Sequence, residues 1–165
     1  EGGVTAAKGF KAAGMHAGIK KGTKKDMAMI VSSAPCMAAG TFTTNLVKAA
    51  PVKWDQHVVY EHGEARAVVV NSGIANACTG AEGYGYCEET AKAAAEALGI
   101  DKDEVLVAST GVIGKQLPID TIKKGVKDLS GLLLDTREAA TLAAESIMTT
   151  DTVKKEVAVE VEIGG

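Results

Sequence analysis

Short apolar runs separated by glycine- and hydroxyl-rich stretches dominate the chain. Residues 27–31 (MAMIV) are apolar without a polar break and predict a strand buried on both faces. Residues 65–71 (ARAVVVN) are β-branched at their centre and give the clearest strand; residues 104–108 (EVLVA) predict another. Between them, residues 88–98 (EETAKAAAEAL) are strong helix formers, with Gly99 placed to cap the helix in the left-handed conformation. Pro118 suits the first turn of a helix running to about Leu129. Asp135 with Glu138 predicts a capping box for a last helix ending near Met148. Residues 40–45, 72–80 and 109–111 read as extended or loop segments. Strands alternating with helices predict an α/β fold.

Residues 156–163 (EVAVEVEI) alternate with period two, the pattern of a half-buried strand, and Gly164-Gly165 then opens a turn. A strand at the start of a hairpin needs a partner, since an uncovered edge invites aggregation. Two readings remain open. The partner comes from other residues, outside this segment or on another chain, or the strand pairs with an earlier one.

Composition narrows the rest. The 165 residues are one domain's worth. The 27 Ala and 19 Gly, beside an aromatic content of 4%, predict a core of small side chains in which backbones approach closely. A net charge of −3 without a basic block argues against a nucleic-acid or anionic-membrane surface. No apolar run is long enough to span a bilayer. Three cysteines without CxxC spacing suit a reducing compartment.

Candidate chemistry is sparse. Gly114-Lys115 lacks the upstream glycine of a phosphate-binding loop, so the glycines read as turns and close-packing points. His16, His57 and His62 show no ligand spacing and predict no metal site; His57 and His62, among polar residues, read as solvated side chains. Cys78 follows a strand, but no histidine lies downstream of His62, so it reads as a small buried residue rather than a nucleophile. The informative places are the strand ends Asn71-Ser72-Gly73 and Ser109-Thr110-Gly111. Loops of this kind can aim N–H and hydroxyl donors at a developing oxyanion. The same residues also make ordinary turns, and both readings stand. Met148-Thr149-Thr150-Asp151 places hydroxyls and a carboxylate at a helix end, either as a turn or as a polar patch facing a substrate.

Several segments share one further property. Gly3-Val4-Thr5-Ala6, Lys8-Gly9-Phe10, Phe42-Thr43-Thr44-Asn45 and Lys48-Ala49-Ala50-Pro51 lie in the first third. Asn71-Ser72-Gly73, Ala75-Asn76-Ala77-Cys78-Thr79-Gly80 and Ser109-Thr110-Gly111-Val112-Ile113-Gly114 follow, then Met148-Thr149-Thr150-Asp151 and Glu160-Val161-Glu162-Ile163-Gly164-Gly165. In this order they resemble the α chain of the ornithine acetyltransferase family, also called glutamate N-acetyltransferase, of arginine biosynthesis. Ala7 and Ile74 depart from the family's usual Pro and Asn.

The resemblance implies layered sheets and helices like those of N-terminal-nucleophile hydrolases. It implies that residues 1–165 are a single domain, the α chain of a self-cleaved precursor completed by a β chain in a cytoplasmic α2β2 heterotetramer. The nucleophile, the threonine that opens the β chain, then lies outside this sequence. The implied reaction moves acetyl from N-acetylornithine to glutamate. No cofactor is implied, although acetyl-CoA is a co-substrate in some members. Thr110 and Gly111 align with the family's oxyanion-hole pair, and Thr149 with its substrate-contacting threonine. The competing expectation is a non-catalytic α/β domain that binds a small molecule.

Overall fold

The computed structural model describes residues 2–164. Strand β1 (Phe10–Met15) leads to β2 (Met27–Met37), and helix α1 (Ala50–His57) continues into a π-helical turn, Val58–His62. Strand β3 (Glu64–Ile74), helix α2 (Gly80–Leu98), a short 3-10 turn (Lys102–Glu104) and β4 (Val105–Val112) follow. Helices α3 (Ile119–Ser130) and α4 (Arg137–Ile147) close the order.

The four strands form one sheet in sequence order. β1–β2 and β2–β3 are antiparallel. β3–β4 are parallel, with α2 in the crossover, as parallel pairing requires. Alternation along the strands sorts the core into two layers. Met27, Met29, Val69, Val105 and Val107 face helices α1–α3, where they meet Trp54, Cys87, Ala91, Ala94, Val126 and Leu129. On the other face, Ala12, Ala28 and Val70 meet Ala143 of α4. The small-residue composition finds its use here. An added Cβ on Gly83 of α2 would lie 2.0 Å from the Thr79 hydroxyl oxygen and 2.5 Å from Asn76 Oδ1, so this helix turn packs only as glycine.

Helix α1 also protects the outer edge of β4. Trp54, buried, donates its indole N–H to the Val105 carbonyl at 2.8 Å, and the Val107 N–H donates to Asp55 Oδ1 at 3.0 Å. These bonds cover groups that would otherwise be an open strand edge. The cost falls on Asp55. Burial raises its carboxyl to about 6, against the opposing pull of the Val107 N–H. Above that pH the folded state carries a partly buried charge. Because the folded-state value is raised, the penalty is relieved as pH falls towards the ordinary carboxylate value. Asp55→Asn keeps an acceptor and removes the charge. It should stabilise the fold by ~1–3 kcal/mol near pH ~8, and by much less near pH ~4. Thermal unfolding at the two pH values checks this; an equal gain at both would reject the account.

Several boundaries differ from the sequence expectation. β1 and α1 were not expected. β3 runs on through Ser72 and Gly73 to Ile74, and β4 runs on through Ser109-Thr110-Gly111 to Val112, because the two strands stay in register beyond the residues that read as loops. α2 begins at Gly80, well before residue 88. Gly99 does cap it at φ 67°. α4 is capped by Thr136, whose side chain accepts the Ala139 N–H, rather than by Asp135; the capping box forms instead at Asp101 and Glu104. Residues 156–163 form no strand. Val157, Val159, Val161 and Ile163 are 69–90% exposed, and none pairs with an earlier strand among the described residues. Cys78 is exposed, and Cys87 is the buried thiol, its pKa pushed up to about 12 mainly by burial. No helix among the described residues is long and apolar enough to cross a membrane.

Candidate functional site

The parallel pair β3–β4 brings the two informative motifs side by side. Asn71 pairs with Ser109, Ser72 with Thr110 and Gly73 with Gly111. The Ser109 hydroxyl donates to Asn71 Oδ1 at 2.6 Å, and the Asn71 amide donates to the Ile74 carbonyl at 2.9 Å. Asn71 is buried, so these bonds satisfy it and stiffen the strand ends from beneath. Further along, the Ala75 N–H reaches the Val112 carbonyl at 2.9 Å and the Gly114 N–H reaches the Ala77 carbonyl at 2.8 Å. The loop after β3 is held by Asn76, which donates to the Gly83 carbonyl at 2.8 Å and accepts from the Thr79 hydroxyl at 2.7 Å.

Gly73 and Gly111 face each other with positive φ, 107° and 133°. A Cβ on Gly111 would lie 2.3 Å from the Gly73 carbonyl carbon and 2.7 Å from the Ile74 nitrogen. Gly111 is exposed and Thr110 half-buried, and the Thr110 hydroxyl has no hydrogen-bond partner among the described residues. Backbone alternation fixes where the neighbouring N–H groups point. Val107 directs its N–H off the outer edge of β4, towards Asp55. Ser109 and Gly111 share its parity, so their N–H groups face the same edge. The contacts from α1 reach Val105 and Val107, and beyond them the edge is uncovered among the described residues.

Thr149 lies just beyond α4, and the end of β3 links it to Thr110. The Ser72 hydroxyl donates to the Ser146 carbonyl of α4. Lys20 lays its stem against Gly73, 2.9 Å from where a Cβ would stand, and its ammonium donates to the Met148 carbonyl at 2.5 Å and the Lys25 carbonyl at 3.0 Å. Burial lowers the Lys20 pKa; Asp26 opposes this and Lys24 adds to it. Thr149 is exposed, and its N–H donates to Asp151 Oδ2 at 3.3 Å. Lys20, Thr23, Lys25, Glu145, Met148 and Thr149 line a cleft of about 320 Å³.

Asp26 braces the loop that carries Lys20. Its carboxylate is fully buried and accepts the N–H groups of Ala17, Gly18, Ile19 and Lys20 at 2.6–3.2 Å, with His16 at 3.3 Å. Its own carbonyl accepts the Ser72 N–H at 2.8 Å. Sequence reasoning missed both Asp26 and Lys20. They stand in a lysine-rich run, where the one available signal was a lone carboxylate abutting an apolar strand.

The sequence profile of the ArgJ family matches residues 11–165. The chain is 52% identical over 165 residues to the arginine biosynthesis bifunctional protein ArgJ of Gloeobacter violaceus, covering 100% of this chain and 40% of that relative. It is 45% identical over 166 residues to the chloroplastic ArgJ of Zea mays, covering 100% of this chain and 36% of that relative. Among solved structures it is similar to ArgJ from Bacillus halodurans, with a TM-score of 0.87, 44% identity, and coverage of 92% of this chain and 78% of that one. It is likewise similar to ornithine acetyltransferase from Mycobacterium tuberculosis in complex with ornithine, with a TM-score of 0.88, 46% identity, and coverage of 92% and 81%. The α/β layers are thus those of ornithine acetyltransferase structures. The chain spans about 40% of the length of the curated bacterial relatives it matches. On profile, identity and fold together, this chain belongs to the ArgJ family of arginine biosynthesis.

Proposed function

We propose that this chain is the α portion of a self-cleaving acetyltransferase that moves acetyl from N-acetylornithine to glutamate. The Thr110 hydroxyl and the Gly111 N–H serve as oxyanion donors, and Thr149 as a substrate contact. The supporting observation is the end of β4, where an exposed glycine with its N–H on an open strand edge adjoins a threonine hydroxyl without a partner among the described residues. In the first half-reaction a threonine hydroxyl on a second chain attacks the acetyl carbonyl and its proton passes to a base. The carbonyl oxygen becomes negative, and ornithine leaves with a proton on its amine. In the second half-reaction the glutamate amine attacks the acetyl ester and frees the threonine. Both tetrahedral intermediates need donors at one point. No bound cofactor is needed; acetyl-CoA would act as an alternative acetyl donor.

The exposed alternating side chains Val157, Val159, Val161 and Ile163 support completion by a β chain, in an α2β2 assembly. Three free cysteines suit a cytoplasmic or other reducing compartment. The test is to purify the full-length protein, resolve its polypeptides by mass spectrometry, and assay N-acetylglutamate formation from N-acetylornithine. A single intact chain that transfers no acetyl would reject the reading. Thr149→Val removes one hydroxyl and keeps the shape. It should raise KM roughly three- to tenfold with kcat nearly kept. An unchanged KM for both substrates would reject the role of Thr149.

A further inference from the structure

The π-helical turn after α1 produces a juxtaposition that sequence spacing conceals. His57 and His62 are five residues apart, so a regular α-helix would point them well away from each other. The wider turn at Val58–His62 brings their rings edge to face, with centroids 5.2 Å apart. The capped 3-10 turn then presents Asp103 to both. His57 Nε2 lies 3.6 Å from Asp103 Oδ1, and His62 Nε2 lies 3.5 Å from Asp103 Oδ2. One atom from each residue can be chosen so that all three lie within 4.8 Å of one another. In a tetrahedral zinc site with bonds near ~2.0–2.1 Å, adjacent ligand atoms stand about 3.3–3.4 Å apart. The two histidine–carboxylate separations, to one oxygen each, are within a few tenths of an ångström of that, and the three chosen atoms, all within 4.8 Å, need only a small contraction to share one ion.

The surroundings point the same way. His57 Nδ1 lies 3.1 Å from Glu61 Oε2. A carboxylate on the far nitrogen of a histidine fixes the tautomer that leaves Nε2 as a lone pair, the arrangement metal-bound histidines use. The Asp103 carboxylate faces the Nε2 atoms of both histidines at 3.5–3.6 Å, and a cation between them satisfies acceptors on each side. Lys102 already holds Oδ1 at 2.7 Å, which leaves Oδ2 as the metal-facing oxygen.

We propose that His57, His62 and Asp103 form a zinc-class divalent cation site, with water completing the coordination and Glu61 orienting His57. The site pins the π turn to the start of β4, at the opposite end of that strand from Thr110 and Gly111. It is therefore independent of the proposed acetyl transfer, and losing it should leave that reaction intact.

The test is calorimetric titration of Zn²⁺ into untagged, chelator-treated full-length protein, repeated for His62→Ala and Asp103→Asn. His62 is exposed at the end of the π turn, so its removal should leave the fold intact. A single site of micromolar affinity is expected, weakened at least ~10-fold in each variant and by ~10-fold in Glu61→Gln. Lys102→Met, which removes the competitor for Asp103, should tighten it. Co²⁺ should give the visible absorption of a tetrahedral site without thiolate charge-transfer bands, which separates it from the cysteines. Absence of Zn²⁺ binding, or affinity unchanged in both His62→Ala and Asp103→Asn, would overturn the proposal.

Discussion

Gly111→Ala should abolish measurable acetyl transfer while leaving the helical core folded. The added Cβ would sit 2.3 Å from the Gly73 carbonyl carbon, 2.4 Å from its oxygen and 2.7 Å from the Ile74 nitrogen. All three are backbone atoms, so no side chain can swing aside. The residue also holds φ 133°, which alanine adopts only under strain. Relief requires the ends of β3 and β4 to separate by about an ångström, a displacement that alone costs roughly 10²-fold when it falls at reacting groups. The Gly111 N–H, itself one of the proposed donors, moves with the strand. Loss of one donor costs ~10²–10³ in kcat, so the combined loss should exceed ~10³. The core is spared because the Val69, Val105 and Val107 layer lies several residues upstream on both strands. The measurements are kcat on matured protein and the unfolding midpoint. Parent-like turnover would show that nothing near Gly111 must hold its position.

Where the fold was legible in the sequence, a local pattern and its tertiary setting agreed. Val68-Val69-Val70 is β-branched and sits mid-sheet; residues 88–98 are helix formers and lie in α2. The misses have specific causes. Asn71-Ser72-Gly73 carries turn chemistry, but parallel pairing with Ser109-Thr110-Gly111 continues the strand through it. β1 (FKAAGM) has no β-branched residue, and its small side chains suit the close packing of α4 instead. α1 offered one signal, Pro51 near its start, in a segment with little amphipathic pattern. Residues 156–163 carry strand periodicity without a partner strand among the described residues, so pattern and structure part company there.

The candidate site was legible in part. Thr110, Gly111 and Thr149 came from motif resemblance, and the open edge of β4 that gives Gly111 its accessible N–H came only from strand order. Asp26 was hidden because its burial depends on four backbone N–H groups from residues 17–20 converging on it, a property of the loop rather than of its composition. The His57–His62 pair was hidden by a π turn, whose period no pattern search for α-helices tests.

Thr110→Ala tests the chemistry without the strain. Its hydroxyl has no hydrogen-bond partner among the described residues, and the side chain is half-buried. Removing it therefore orphans no donor or acceptor and leaves at most a small cavity, so stability should change by less than about 1 kcal/mol. If the hydroxyl stabilises the oxyanion, the loss appears in the transition state and not in the ground state, since the substrate carbonyl carries full negative charge only after attack. The expected result is a fall of about 10²–10³ in kcat, ~3–4 kcal/mol, with KM for N-acetylornithine nearly unchanged. Thr110→Ser, which restores the hydroxyl, should recover most of the activity. The proposed self-cleavage would pass through a similar charged intermediate and slow as well, so the assay must use protein matured before measurement or assembled from separately expressed chains. Turnover within about threefold of the parent, far short of the loss of a single oxyanion donor, would reduce Thr110 to a strand residue. The contrast with Gly111→Ala then carries the information: one variant should lose rate by moving the backbone, the other by removing a single oxygen from an unmoved strand.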